Sequence, residues 1–450
     1  MLTNDLPAGM PEWLTQVGGG PVTRMQRQVA RREGYAVAFA RPDGSTLEGF
    51  LRLDRTPVPD DPWSLSKEVA IVRALRDTAV PVPEVYGASD PLACVLFELV
   101  PGRSDIHKLE SATQQRAVME DFFDIVADLH NLELERLKLP PMPYPKSAYE
   151  CALSEMDLVT QKWAAFLRVH RDPLITYGID WLRRFAPKRV ERISLLQGDT
   201  GPVNFMFDGN KVTAVIDWEW GHLGDPMEDL GNICVREFWN PSGGFKGLMS
   251  RYERRSGIPV DYDAVRYYRV QQNVRGMIPS ACGTVNAKPH EPLAWYLTYR
   301  YVGDRSTCEA MAESMGISLN LPEYPADDGA PDPLAAAATW ALTKDIAPDM
   351  ATPIAKSRVR DVDVLVRCME RVRRFGPSID RIEREELGEL LGKKPATQAE
   401  GLESLDVKIR EHKLADEPLL QYLSRRAFRL EWLHLPCTEI YPDRKWAPLQ

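Results

Sequence analysis

The stretch "LLQGDTGPVNFMFDGNKVTAVIDWEWGHLGDPMEDLG", residues 195–231, decides how the rest of the chain is read. Two short apolar runs, "FMF" and "VTAVI", flank the turn "DGNK", which is the pattern of a β-hairpin. Such a hairpin brings Asn204, just before its first strand, close to Asp217, at the end of its second. Asp and Asn offer the hard oxygen atoms that Mg²⁺ takes as ligands. Phosphoryl transfer needs a carboxylate near the attacking hydroxyl and two oxygen ligands that hold the metal on the nucleotide phosphates. Asp199 fits the first role, and Asn204 with Asp217 fits the second. A capped hairpin without metal is the plainer reading of the same residues.

The chain has 450 residues, 44% of them hydrophobic, enough for large cores and for two or three domains. The start, "MLTNDLPAGMPEW", lacks a basic region followed by an apolar one, so no secretory signal is expected. No apolar run is long enough to span a membrane. Seven cysteines without a CxxC pair read as reduced thiols in a cytoplasmic protein rather than a zinc site. A net charge of -9 argues against non-specific nucleic-acid binding.

Outward from the opening stretch, the N-terminal side reads as strand, strand, helix, strand, strand up to about residue 103. "GYAVAFA" and "GFLRLDR" are strands around a Pro-Asp-Gly turn, and "SLSKEVAIVRALRDT" is a helix with Ser66 as its N-cap. "VPVPEVYG" and "ACVLFELVPG" follow as strands. From residue 112 helical periodicity dominates, and Met119, Phe122, Phe123, Val126 and Leu129 mark one buried face. His130 is expected at the exposed end of that helix. "GISLNLPEYPADDGAPDPL" is rich in Pro, Asp and Gly and reads as a linker. Beyond it, Val362, Leu365, Val366, Met369 and Val372 form an apolar stripe on a helix expected to stop at Gly376-Pro377.

"QGDTGPVNFMF" with "AVIDWEWGHLGDPMEDLG" resembles the catalytic core of the aminoglycoside phosphotransferase and choline kinase-like family, which shares the protein-kinase fold. The resemblance spans about residues 15–320. It implies an α+β fold: an antiparallel-sheet N-lobe with one helix over 1–103 and a mostly helical C-lobe over 104–320. A linker over 321–332 then leads to a helical accessory domain over 333–450, whose "LVRCMERVRRFGPSIDRIEREELGELLG" resembles a domain of unknown function found with such kinases.

The same resemblance implies ATP and Mg²⁺ as cofactors, with Asp199 as the catalytic carboxylate that accepts the hydroxyl proton and Asn204 and Asp217 as metal ligands. "FELVPG" resembles the family hinge, placing adenine against the backbone of Glu98 to Val100. Arg52 stands where the family has a phosphate-contacting Lys, oriented by Glu68. Gln197 stands where His is usual. The glycine cluster Gly18–Gly20 lacks the family's Ser-Asn, and either caps phosphates or forms a plain loop. Asp225 and Asp229 read as structural, and His222 as a residue near the metal strand.

An Arg at position 52 and the segment "VPVPEVYG" resemble the branch containing the kinase-like domain of acyl-CoA dehydrogenase fusion proteins. That branch implies a small-molecule hydroxyl as acceptor, with a hydroxyacyl-CoA thioester or related catabolic alcohol favoured. No nucleic-acid or membrane partner is implied. An antibiotic kinase is the alternative within the same chemistry. A nucleotide- or acyl-CoA-binding pseudokinase scaffold is the alternative of another class.

Overall fold

The structure, a computed structural model, describes residues 6–28, 33–54, 57–58, 61–289, 291–326 and 332–449. The chain divides into two compact units: 1–146 with 190–261 and residue 450, and 147–189 with 262–449.

The first unit opens with helix α1 (Met10–Gly18) and five antiparallel strands in the order β1-β2-β3-β5-β4. These are β1 (Val22–Arg27), β2 (Gly34–Ala40), β3 (Thr46–Leu53), β4 (Val85–Ser89) and β5 (Cys94–Glu98). The four strands read from the sequence are β2 to β5; α1 and β1 precede them. Met10 and Leu14, one turn apart on α1, pack against Val37, Phe39, Leu51 and Leu96 of the sheet. Gly18–Gly20 end that helix, and Gly19 is its left-handed C-cap.

On β3, Leu51 and Leu53 point into that core, so alternation sends Arg52 to the opposite face. Helix α2 (Leu65–Leu75) meets Arg52 there. Its N-cap is Ser64, two residues earlier than the Ser66 that the sequence suggested, with Oγ accepting from Lys67 N–H at 3.3 Å.

Helix α3 (Ala112–His130) buries Met119, Phe122, Phe123, Val126 and Leu129 as its spacing predicts. Three helices of the second unit interrupt here: α4 (Ala148–Lys162), α5 (Ala164–Val169) and α6 (Pro173–Arg184). The first unit resumes with β6 (Ser194–Leu196), β7 (Phe205–Asp208), β8 (Lys211–Val215) and β9 (His222–Gly224). β7 and β8 form the expected hairpin, and β6 pairs with β9. Helices α7 (Pro226–Trp239) and α8 (Leu248–Ser256) complete it.

The second unit continues with α9 (Tyr262–Asn286), α10 (Leu293–Met315), α11 (Pro333–Trp340) and α12 (Pro353–Leu391), then α13 (Gln398–Arg410), α14 (Asp416–Leu433) and α15 (Leu435–Thr438). Residues 333–449, set apart in the sequence by the Pro-rich segment, therefore share a compact unit with α4–α6, α9 and α10. On α6 the Thr176 hydroxyl donates to Asp406, Tyr177 to Asp416 at 3.0 Å, and Arg184 to both oxygens of Asp416.

One sequence expectation fails in α12. The helix runs through Gly376-Pro377, because burial of Phe375 and Ile379 against Leu433 outweighs the hydrogen bond that Pro377 cannot make. Of the apolar stripe, Leu365 packs against the buried Val364 and Cys368, whereas Val362, Met369 and Val372 are exposed. Among the described residues no helix is long and apolar enough to cross a membrane.

A buried ion cluster joins α6 to α10. Arg300 donates to Asp172 at 2.5 Å and to Asp304 at 2.9 Å. One guanidinium cannot neutralise both carboxylates at once. Burial pushes Asp304 up to about 7 despite Arg300, whereas Arg300 and Arg426 hold Asp172 below the usual range against its own burial. The folded chain therefore keeps a proton on Asp304 between about pH 4, where an unfolded Asp titrates, and about pH 7. Stability from this group is greatest below that window and declines as pH rises through it. Urea unfolding across pH 4–8 is expected to show this decline in the wild type and a flatter profile in Asp304→Asn.

Candidate active site

The hairpin does what its spacing promised. Ile216 N–H, at the end of β8, donates to Asn204 C=O at 3.0 Å, setting Asn204 beside the strand that ends at Asp217. Asp217 adopts the left-handed conformation, with φ 63°, an uncommon state for a residue other than glycine. Its carboxylate is 37% exposed, open enough for a ligand to reach.

Asp217 Oδ1 lies 3.2 Å from Arg52 Nη1, which also meets Glu68 Oε1 at 2.8 Å; Arg52 Nη2 meets Glu219 Oε2 at 3.4 Å. One guanidinium thus serves three carboxylates, from α2 and from the turn after β8. Burial pushes Arg52 down, but Glu68 and then Asp217 more than offset it, so the net direction is up. The Arg52–Glu68 pair expected from the sequence is formed, and Glu219 is an addition to it.

Asp199 sits in the loop between β6 and β7. Asn204 Nδ2 donates to its backbone C=O at 2.7 Å and to Oδ2 at 3.0 Å. With the amide nitrogen committed to Asp199, the amide oxygen of Asn204 is the atom left to serve a cation. Asn204 and Asp217 therefore present oxygen donors, the chemistry that Mg²⁺ requires.

Arg236 on α7 forks onto Asp199, with Nε donating to Oδ1 at 3.0 Å and Nη2 donating to Oδ2. Sequence reasoning missed Arg236, which stands in a helix 37 positions away in a run without a motif. Its close approach depends on Gly201, where a Cβ would meet the Arg236 side chain at 2.8 Å.

Gln197 takes over the loop-holding work. Its Nε2 donates to the carbonyls of Ile216 (3.0 Å) and Asp217 (2.7 Å). Its Oε1 accepts from Asp199 N–H at 2.8 Å and from the Thr200 hydroxyl at 3.1 Å. A neutral amide, donor on one side and acceptor on the other, ties the Asp199 loop to the Asp217 strand. Gly198 makes the turn possible, with φ 80° and the Trp220 carbonyl only 2.3 Å from where a Cβ would stand.

Beneath the loop lies Asp229, fully buried. It accepts from Gln197 N–H and Gly198 N–H, each at 3.0 Å, and from the Thr200 hydroxyl at 2.5 Å. His130 Nε2 lies 3.1 Å from it, and His130 Nδ1 lies 2.8 Å from the Tyr252 hydroxyl. His130 is thus not an exposed helix end: it is fully buried, because its partners lie 99 and 122 positions away and close over it. Burial raises the Asp229 pKa, yet His130, Thr200 and the Gly198 amide hold it below its usual range. Asp225 caps α7 by accepting from Met227 N–H at 3.0 Å. His222 is buried, with Glu228 at 3.2 Å and the Trp220 carbonyl at 2.9 Å.

At the hinge, Glu98 N–H donates to Glu84 C=O at 2.8 Å, and Leu99 N–H to Glu48 C=O at 3.4 Å. Val100 N–H makes no backbone bond among the described residues. Arg103 then bridges to Phe207 of the hairpin with two backbone bonds, of 3.0 and 2.9 Å. Gly18–Gly20 lie ahead of β1, as a helix end. The β1–β2 connection includes residues 29–32, which lie outside the described residues.

Replacing Asp229 by Ala strips the loop amides, Thr200 and His130 of one shared acceptor. Breaking such a buried charged network costs about 3–5 kcal/mol. Asp229→Ala is expected to lower the urea unfolding free energy by that order, or to prevent soluble expression.

The family model for the phosphotransferase enzyme family matches residues 30–268, more than half of the chain. Acyl-CoA dehydrogenase family member 11 from Homo sapiens is 26% identical over 252 residues, covering 53% of this chain and 30% of that protein. Acyl-CoA dehydrogenase family member 10 from Mus musculus is 25% identical over 228 residues, covering 47% and 20%. The chain thus matches less than a third of the length of these curated relatives. A solved structure from Ralstonia eutropha, assigned to the aminoglycoside phosphotransferases, has a TM-score of 0.51 at 20% identity. It covers 67% of this chain and 94% of its own, a likeness of fold. With the antiparallel sheet, the hairpin and the Asp229-anchored loop in place, the chain belongs to the phosphotransferase enzyme family.

Proposed function

We propose that the chain is an ATP- and Mg²⁺-dependent kinase of a small-molecule hydroxyl, with a hydroxyacyl-CoA or related catabolic alcohol as the favoured acceptor. The observation that carries the reading is the pair of bonds Asn204–Asp199 and Arg52–Asp217, bridged by Gln197 within one compact unit. The acceptor class rests on the likeness to acyl-CoA dehydrogenase family members, which covers about half of this chain.

In this reading Asn204 and Asp217 hold Mg²⁺, and Arg52, fixed by Glu68, meets the nucleotide phosphates. The hinge backbone from Glu98 to Val100 would hold the adenine. Bound MgATP supplies the phosphoryl group and neutralises its charge in transfer. Asp199 takes the hydrogen of the acceptor hydroxyl, orienting the oxygen and accepting its proton. Arg236 and Asn204 hold that carboxylate in one orientation, so the acceptor meets a pre-set geometry. Phosphorylating an alcohol converts a poor leaving group into a good one.

Purified protein is to be assayed for ATP consumption against hydroxyacyl-CoAs, free hydroxy acids and aminoglycosides. Turnover confined to aminoglycosides refutes the acceptor class, and turnover of none by an intact, ATP-binding protein refutes the kinase reading. With an authentic acceptor, Asp199→Asn is expected to lose roughly 10²–10⁴-fold in kcat. ATP affinity is expected to stay close to wild type, since the side chain is nearly isosteric.

Arg52→Ala removes the cation shared by Glu68, Asp217 and Glu219. It is expected to weaken ATP binding, with Arg52→Lys restoring it only in part, because an ammonium lacks the planar fork. Titration calorimetry with MgATP checks this, and unchanged affinity in Arg52→Ala removes the residue from the site.

A further inference from the structure

Cys368 on α12 and Cys437 on α15 lie with their sulfur atoms 3.2 Å apart. They are 4% and 3% exposed, inside an apolar cluster with Ala294 and Val364. Cysteines serving only as small core fillers have no need to meet. These two meet across 69 positions of chain, one on the longest helix and one on the four-residue helix that follows α14.

We propose that Cys368 and Cys437 form a thiol pair that a peroxide oxidises to a disulfide, a modification site separate from the phosphotransfer chemistry. In the first step the Cys368 thiolate attacks one oxygen of hydrogen peroxide, giving a sulfenic acid and releasing hydroxide. In the second the Cys437 sulfur displaces the sulfenic oxygen, which leaves as water with the Cys437 proton. Two thiols and one peroxide thus yield one disulfide and two waters.

The surroundings assign the order of the steps. The two sulfur atoms share a hydrogen bond in which either thiol can donate, and Arg367 and Arg371 lie close to Cys368. This hydrogen bond first, and the two guanidinium groups after it, hold the Cys368 thiol below its usual range against burial. The hydrogen bond with Cys368, and burial after it, push Cys437 up. With Arg367 and Arg371 beside it, Cys368 is the sulfur whose thiolate is favoured, which makes it the attacking sulfur and Cys437 the resolving one. Arg371 is fixed beside the pair by donating to the carbonyls of Leu433 (3.1 Å) and Trp432 (2.8 Å). Access requires α15 to part locally from α10, where the Thr298 hydroxyl donates to the Cys437 carbonyl at 2.9 Å.

The test treats the full chain with hydrogen peroxide and then alkylates it under denaturing conditions. Expected are two fewer alkylated cysteines, a peptide pair joining Cys368 to Cys437 in the non-reduced digest that dithiothreitol separates, and a Tm raised by roughly 5–10 °C. Cys437→Ala is expected to show neither the linked peptides nor the Tm rise. Because the wild-type peptide map is decisive alone, a variant that folds poorly does not weaken the test. The proposal is overturned if both cysteines still alkylate after peroxide, if Cys368 stops at sulfinic acid, or if the bridge joins either one to the partly exposed Cys282.

Discussion

The buried carboxylate of Asp229 is the point on which the phosphotransfer loop rests. Four donors converge on it: two consecutive loop amides, the Thr200 hydroxyl and the His130 ring. A charge buried to that depth is tolerated only when its hydrogen-bonding capacity is met. The demand works in both directions, because satisfying Asp229 also fixes the loop backbone that carries Asp199. His130 on α3 extends the constraint from Asp229 on α7 to Tyr252 on α8, so three helices and a loop share one polar chain. Asp225 starts α7 four residues earlier, which fixes where Asp229 enters that chain.

A second constraint acts from the sheet side. Arg52 gathers acids from α2 and from the turn after β8, and so ties strand, helix and turn together around one cation. Gln197 joins the two constraints, since its amide reaches the Asp199 loop with one atom and the Asp217 strand with the other. A histidine ring has two nitrogens for such work; glutamine has an oxygen and an NH₂ group, and here both sides are used. The departures at positions 52 and 197 are therefore met by partners in place.

Much of the site was legible because it is local. Asn204 and Asp217 flank one hairpin, and period-2 alternation over "FLRL" assigns Arg52 a face. What escaped depends on contacts distant in sequence. His130 reads as a helix end until Asp229 and Tyr252 cover it. Arg236 carries no motif, and only the fold brings it to Asp199. In α12 Pro377 reads as a stop, although packing of its neighbours Phe375 and Ile379 carries the helix through. α1 and β1 were passed over because β1 is an edge strand, mostly polar and half-exposed. The Pro-rich segment at 321–332 was a fair linker signal, but the helices beyond it share a compact unit with helices before it.

That interleaving bears on synthesis. Residues 147–189 leave the ribosome more than seventy positions ahead of α9, and well over two hundred ahead of Asp406 and Asp416, which bind α6. Until those arrive, Tyr177, Trp181 and Leu182, all buried in the finished chain, have no core to enter. At about 5–20 residues per second the wait lasts on the order of ten seconds or more. Chains made in a cell short of chaperones should therefore be lost at this stage, through exposure of α6, before any defect in the phosphotransfer loop is felt.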